Sequence, residues 1–199
     1  MKKLSLLFII FVSFLHAQTL ELVGGDYTYT KIINTGKQKK NLYLVLKKWL
    51  TNNSSQYTLN KDDQRSGILS FEERLPLVHY NESQSTIPSY TNAIEITNRQ
   101  VIYRVDRIVF QDIFGGMTNT RNDYQSLLKR IAFSVSTINE LKEQLNKERN
   151  IKNRFNLRKE ISAENEKLSK LNNINTLLTE HFDSNAKAIA EQIEGTYQE

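Results

Sequence analysis

Apolar and polar residues alternate along much of the first half of the chain, a pattern typical of short β-strands with one buried face. The first such run covers residues 27–33, and later runs cover residues 56–59, 68–78, 90–97 and 101–110. Turn-forming residues separate these runs. The pattern therefore predicts five strands.

The spacing changes to a helical one between residues 37 and 50. Leu42, Val45, Leu46 and Trp49 recur at i, i+3, i+4 and i+7, so they share one face of a helix. The opposite side is basic and carries Lys39, Lys40, Lys47 and Lys48. The order β-α-β-β-β-β predicts an α+β fold, with an antiparallel sheet and a helix on one face.

The last predicted strand changes phase along its length. Val101, Tyr103 and Val105 occupy alternate positions and so share one face of the strand. After them the apolar residues fall at even positions, Ile108 and Phe110. An extra residue in one strand produces such a change. We therefore predict a β-bulge near Asp106-Arg107.

The second half of the chain has helical spacing almost throughout residues 121–193. Apolar residues with alternating spacings of four and three form a coiled-coil-like seam. The seam comprises Tyr124, Leu128, Ile131, Val135, Ile138, Leu141 and Leu145, and after an interruption Leu157, Ile161, Leu168, Leu171, Ile174, Leu178 and Phe182. Asp183-Ser184 has the composition of a cap for a last short helix.

Two architectures satisfy this seam. In the first, the chain turns near residues 150–153 and two helices pair antiparallel; in the second, one long helix finds its partner in another chain. The interruption of the seam favours the hairpin, whereas the absence of Pro and Gly from residues 146–156 favours the long helix. We favour the hairpin.

Composition divides the chain at Gly115-Gly116. Pro76 and Pro88 both precede this point, and Gly195 is the single glycine after it. We therefore predict an α+β domain at residues 18–116 and a helical, coiled-coil-prone tail at residues 117–199.

The N-terminus has the pattern of a secretory signal peptide, residues 1–17. Lys2 and Lys3 precede an apolar run at residues 4–15, which is shorter than the roughly 20 residues that a bilayer-spanning helix needs. We expect export through the Sec pathway to the periplasm or beyond, and no transmembrane segment after cleavage. Cleavage lowers the net charge from +5 to +3.

The chain has no Cys. Disulfides, Cys-ligated metals, a thiol nucleophile and a lipid-modified Cys anchor are thereby excluded. We therefore expect an exported protein that is not lipid-anchored.

Three patches of sequence resemble a known family, at residues 40–50, 63–68 and 90–106. The first contains Leu-Tyr followed by Lys-Trp-Leu, and the last contains the aromatic-Arg pair Tyr103-Arg104. Over about residues 26–113, the chain resembles the bacterial exported domain of unknown function 4468 family, whose fold is TBP-like (similar to the TATA-box-binding protein). The resemblance implies a fold and no activity.

The fold name suggests DNA binding, but the residues argue against it. A TATA-box binder has two repeats of the unit and lays a broad apolar sheet, flanked by Lys and Arg, into the minor groove, whereas this chain has one unit and a mature net charge of +3. We expect no nucleic-acid partner.

The search for catalytic chemistry gives no candidate residue. His79 and His181 lie in no metal-ligand spacing, and His16 belongs to the signal peptide. Glu72 and Glu73 are consecutive in a strand and so point to opposite faces. No phosphate-binding glycine motif is present. We expect no catalytic residue, cofactor or metal, and hence no enzyme.

Residues 142–159 form a basic stretch, with seven Lys or Arg against two Glu. Such a stretch is typical of a solvated helix end, and it is also a candidate contact for an anionic envelope component. The candidate contact residues are Lys147, Arg149, Lys152, Arg154, Arg158 and Lys159.

These observations together favour an exported, non-enzymatic interaction or scaffolding protein. Its helical tail would bind a protein partner or a second copy of the chain, with peripheral contact to anionic envelope components. Two alternatives are open. One is a periplasmic module that binds a small ligand or peptide on the sheet face, and the other is a hydrolase-type enzyme.

Overall fold

The structure is a computed structural model that describes residues 20–24, 26–79, 84–114 and 117–195. The predicted signal peptide, residues 1–17, lies outside the described residues. The strands are β1 (Glu21–Val23), β2 (Asp26–Asn34), β3 (Tyr57–Asp63), β4 (Ile68–Arg74), β5 (Val78–His79), β6 (Gln84–Thr97), β7 (Gln100–Phe114) and β8 (Met117–Asp123). The helices are α1 (Lys39–Asn52), α2 (Tyr124–Lys147) and α3 (Ile151–Gly195).

All the strands belong to one antiparallel sheet. Its order is β1-β2-β7-β6-β4-β3, with β5 paired to β6 and β8 paired to β7. The predicted α+β class is therefore confirmed. Each of the five predicted runs contains a strand, but the run at 68–78 is divided between β4, which ends at Arg74, and β5, which begins at Val78. Strand β3 runs on through Asp63, into the segment that the sequence predicts as a turn.

The bulge predicted in β7 is confirmed. Pairing with β6 shifts between Ser89↔Val109 and Thr91↔Asp106, so β7 carries one residue more than its partner there. Arg107 has φ 50°, which accommodates the extra residue. Because of this shift, Val105 before the bulge and Ile108 after it are both buried on the same side of the sheet.

Helix α1 packs on one face of the sheet, which we call the inner face. Leu42, Leu46 and Trp49 are buried, as the stripe predicts. The Trp49 ring contacts Phe71 on β4 at a centroid distance of 6.4 Å and Tyr57 on β3 at 5.4 Å. Aromatic burial of this size is a large part of the stability of a small sheet.

Helices α2 and α3 form the antiparallel hairpin that the seam favours, with the turn at Glu148–Asn150. Leu171, Ile174, Leu178 and Phe182 are buried as predicted. In α2 the seam differs from the prediction at two points, because Leu127 is buried where Leu128 is half-buried, and Ser134 is buried where Val135 is 43% exposed. The Ser134 hydroxyl donates to the Glu164 carboxylate at 2.6 Å, which satisfies it inside the seam.

Two predicted boundaries in the second half differ from the structure. The segment at 117–123 is strand β8 rather than the start of the helical tail, because its backbone pairs with β7. Asp183-Ser184 caps no helix, because α3 continues through it to Gly195. The Asp183 carboxylate instead accepts a hydrogen bond from the Tyr29 hydroxyl at 2.6 Å.

The C-terminal part of α3 lies on the inner face beside α1. The Phe182 ring lies 5.7 Å from that of Tyr29 and 4.9 Å from that of Tyr90, centroid to centroid. Residues of α3 and of the sheet belong to one hydrophobic core. The domain boundary predicted at residue 116 therefore falls inside a single folded unit.

Candidate functional site

The turn between α2 and α3 is built by the side chains of two residues. The Asn150 side-chain oxygen accepts the backbone N–H groups of Lys152 at 2.9 Å and Asn153 at 3.2 Å, and so caps the start of α3. The Glu148 carboxylate accepts the N–H of Asn150 at 2.8 Å, and this bond is the main cause of a lowered Glu148 pKa. The turn is thus fixed without Gly or Pro.

The six predicted contact residues all lie at this end of the molecule, which we call the hairpin tip (residues 147–159). One of them has a structural role. The Arg154 guanidinium donates to the carbonyl oxygens of Leu145 at 2.8 Å and Glu148 at 2.9 Å, so it ties the end of α2 to α3. The other five side chains are exposed.

The hairpin tip also carries two large apolar side chains that the sequence reasoning missed. Ile151 is 85% exposed and Phe155 is 57% exposed. They are four residues apart and share a face of α3 with Lys159, whose amine lies 4.7 Å from the centroid of the Phe155 ring. Their signal in the sequence is two apolar residues inside the interruption of the seam.

This arrangement combines positive charge with apolar surface. Exposure of Ile and Phe side chains to water is unfavourable. At the interface of an anionic bilayer, the apolar side chains would be buried and the cationic groups would be attracted to the headgroups. The hairpin tip is therefore a candidate site for contact with an anionic surface.

A second candidate is a buried polar cluster between the sheet and α3. The Glu73 carboxylate, 8% exposed, accepts hydrogen bonds from His181 at 2.6 Å, Asn185 at 2.8 Å and the Tyr90 hydroxyl at 2.8 Å. Burial raises the pKa of Tyr90 above its usual range, and the nearby Glu73 charge raises it further. Sequence reasoning could not pair Glu73 with His181, because 108 positions separate them.

This cluster holds α3 against the sheet. Three donors surround the Glu73 carboxylate, so it is committed to contacts within the protein. His79 belongs to a different place, where its Nδ1 lies 2.7 Å from the Ser85 hydroxyl. In the part of the chain that the structure describes, no three His, Asp or Glu residues are grouped as metal ligands would be.

The outer face of the sheet, opposite the helices, is open to solvent. Ile32 on β2 is 54% exposed, and its neighbours across the sheet include Ile102 on β7 and Glu95 on β6. Apolar, hydroxyl and charged side chains are mixed on this face. A binding module on the outer face stays a prediction.

Two bacterial proteins are among the solved structures that are similar to the chain. One is a DUF4468 family protein from Bacteroides ovatus ATCC 8483, with 11% identity, coverage of 56% of this chain and 67% of that chain, and a TM-score of 0.45. The other is a TBP-like protein from Parabacteroides distasonis ATCC 8503, with 13% identity, coverage of 52% and 69%, and a TM-score of 0.43. These are the family and the fold that the sequence patches resemble.

No family model matches the chain, and no curated protein matches it. Among the helices of the described residues, none combines the length and the apolar character that a bilayer crossing needs.

Proposed function

We propose that the protein is an exported, non-enzymatic interaction protein whose hairpin tip binds the surface of an anionic bilayer. The observation that carries the proposal is the exposure of Ile151 and Phe155 among the unburied cations of the tip. The signal-peptide pattern of residues 1–17 supports export.

The side chains of the tip could together supply enough free energy for binding to such a surface. A Lys or Arg near an anionic bilayer contributes about 1 kcal/mol, and burying a large apolar side chain contributes about 1.5–3 kcal/mol. Five cations and two apolar groups therefore support reversible peripheral binding.

The shape of the hairpin supports the same function. Ile151 at the start of α3 lies 20 residues before Leu171, a fully buried residue of the same helix. This separation is about 30 Å at the usual helical rise. Between the tip and Leu171, the seam residues Leu157, Ile161 and Leu168 are only half-buried between the two helices. The tip is thus held away from the sheet, where a flat surface can reach it.

The buried cluster around Glu73 supports the non-enzymatic part of the proposal. The Glu73 carboxylate is surrounded by three donors, and its role as a clamp between the sheet and α3 accounts for these hydrogen bonds.

Vesicle co-sedimentation tests the bilayer contact. The protein is mixed with vesicles of phosphatidylcholine alone or of phosphatidylcholine with phosphatidylglycerol, at low and high salt. We expect binding to the anionic vesicles alone, weakened by salt. The variants Ile151→Ser/Phe155→Ser and Lys152→Gln/Arg158→Gln/Lys159→Gln should each reduce binding about tenfold or more.

The matched control is Lys48→Gln/Lys129→Gln/Lys187→Gln, which removes the same charge from exposed positions outside the tip. It should bind almost as the parent does. If it weakens binding as much as the tip variants do, net charge and not the tip is responsible, and the proposal is wrong.

Self-association through the hairpin is a second candidate function. Phe133 on α2 is 67% exposed, although the seam itself is filled within one chain. Light scattering after size exclusion, on the parent and on Phe133→Ser, tests this. A monomeric parent contradicts self-association, and a dimer that Phe133→Ser dissociates supports it.

A further inference from the structure

A large open cavity lies where α1 begins, between that helix and two turns of the sheet. Its volume is about 780 Å³, and it is bounded by the β3–β4 turn and the β6–β7 turn. Four cationic side chains line it: Lys39, Lys40, Arg65 and Arg99. Its lining includes no carboxylate.

These cations have no acidic partner among the described residues. The Lys39 amine donates to the backbone carbonyls of Arg65 at 3.1 Å and Ser66 at 2.9 Å, which leaves its charge uncompensated. Lys40, Arg65 and Arg99 form no ion pair within the described chain. Four like charges around one concave space raise the local potential and attract an anion.

The two carboxylates at the end of β3, next to the β3–β4 turn, are bonded to other groups. The Asp62 carboxylate lies 2.6 Å from the Lys47 amine and also accepts the Tyr43 hydroxyl; these bonds lower the pKa of Asp62. The Asp63 carboxylate accepts the backbone N–H of Ser66 at 3.0 Å. Neither reaches the cations of the cavity.

The cavity wall is held in place by the backbone. Gly67 has φ 79°, and its position allows the Lys39 side chain to pass against the β3–β4 turn and bond to it. Arg99 has φ 66° in the tight β6–β7 turn, and its N–H donates to the Lys37 carbonyl at 3.2 Å. Arg65 and Arg99 are therefore presented from two turns that are each hydrogen-bonded to the start of α1.

We propose that this cavity binds a phosphorylated saccharide, with the phosphate between the Arg65 and Arg99 guanidinium groups. A planar guanidinium group can donate two parallel hydrogen bonds to two oxygens of one phosphate. Lys39 and Lys40 add positive charge beside them. The cavity is far larger than a bare phosphate. Its remaining wall includes the amide side chains of Gln64 and Asn98, which suit sugar hydroxyls.

Isothermal titration calorimetry on the full chain tests the site with glucose 6-phosphate, inorganic phosphate and glucose. We expect glucose 6-phosphate to bind most tightly, inorganic phosphate more weakly and glucose not at all. The variant Arg65→Gln/Arg99→Asn should lose at least about tenfold in affinity for glucose 6-phosphate. Asn suits position 99 because it tolerates positive φ.

The charge control is Lys48→Gln, on the exposed side of α1 outside this cavity. Circular dichroism melts show whether each variant is folded. Equal affinity for phosphate and glucose 6-phosphate overturns the saccharide part of the proposal. Absence of binding by the folded parent, or a loss in Lys48→Gln equal to that in the double variant, overturns the site. Neither result bears on vesicle binding by the hairpin tip.

Discussion

Glu73 shows how one buried carboxylate holds two distant parts of a chain together. It sits on β4, and two of its three donors, His181 and Asn185, come from α3. A buried charge is tolerated when it is fully hydrogen-bonded, and it becomes costly when partners are removed.

Removing this carboxylate should cost a large part of the stability. We expect Glu73→Ala to lower the free energy of unfolding by about 3 kcal/mol, because Tyr90 and Asn185 lose their acceptor inside the core. Urea denaturation measures this. Glu72→Ala is the matched control, since Glu72 is exposed on the outer face; an equal loss in both variants would contradict the role of the cluster.

The surroundings of Gly67 leave no room for a side chain at this position. An added Cβ would lie 2.4 Å from the Lys39 side chain and 2.5 Å from the Ile96 carbonyl oxygen, and φ is 79°. We expect Gly67→Ala to destabilise the protein by about 1–3 kcal/mol. Thermal unfolding measures the change.

Gly195→Ala serves as the comparison for Gly67→Ala. Nothing lies within 4 Å of a Cβ added at Gly195, at the end of α3. This variant should melt within a degree or two of the parent. If both variants melt alike, crowding at Gly67 is not important.

Helix α2 starts at an acidic cap. The Asp123 carboxylate accepts the backbone N–H of Ser126 at 2.8 Å and its hydroxyl at 2.7 Å, and these bonds lower the pKa of Asp123 below 3.8. We expect Asp123→Ala to cost about 1 kcal/mol at neutral pH. Urea denaturation at pH 7 tests this.

The same cap predicts a pH dependence with a definite sign. Because the pKa is lower in the folded protein, the stabilisation is present above the unfolded value of 3.8 and is lost as the pH falls through the folded value. Asp123→Asn keeps a neutral cap, so its stability should fall less between pH 5 and pH 2.5 than that of the parent. Parallel curves would contradict this account.

Elements with regular hydrophobic spacing could be predicted from the sequence, and those made by backbone pairing could not. The stripe on α1 and the phase change in β7 each had a clear signal. Strand β8 (MTNTRND) has no alternation of apolar residues, and its pairing with β7 forms it. Val135 and Ser134 exchanged roles because a hydroxyl with a good acceptor can replace an apolar seam residue.

The candidate sites divide in the same way. The basic stretch of the hairpin tip is continuous in sequence and was predicted. The cation-lined cavity combines residues from the start of α1 and from two turns, so only the folded backbone brings Lys39, Arg65 and Arg99 together.

At the scale of the whole molecule, α3 serves two purposes. Its C-terminal part completes the core on the inner face, and its N-terminal part pairs with α2 in the helical hairpin, which we call the arm. We expect a chain truncated after residue 170 to lose cooperative unfolding, because Leu178, Phe182 and Ile189, all fully buried, would be absent. Denaturation followed by circular dichroism measures this.

The matched variant shortens the arm instead, replacing residues 142–156 with a short Gly/Asn loop. It removes most of the hairpin tip and leaves every fully buried residue of α3 in place. We expect it to unfold cooperatively. A cooperative transition in the truncated chain would show that the sheet and α1 are stable without α3.

The length of α3 also sets a distance between two surfaces. Ile151 at the tip and Ile193 at the other end are 42 helical steps apart, about 60 Å. The Ile193 carbonyl accepts the amine of Lys37, next to the cavity at the start of α1. A molecule lying with its tip on a bilayer would therefore act as a rigid spacer and hold the cavity in the aqueous phase, beyond the reach of lipid headgroups and open to freely diffusing solutes.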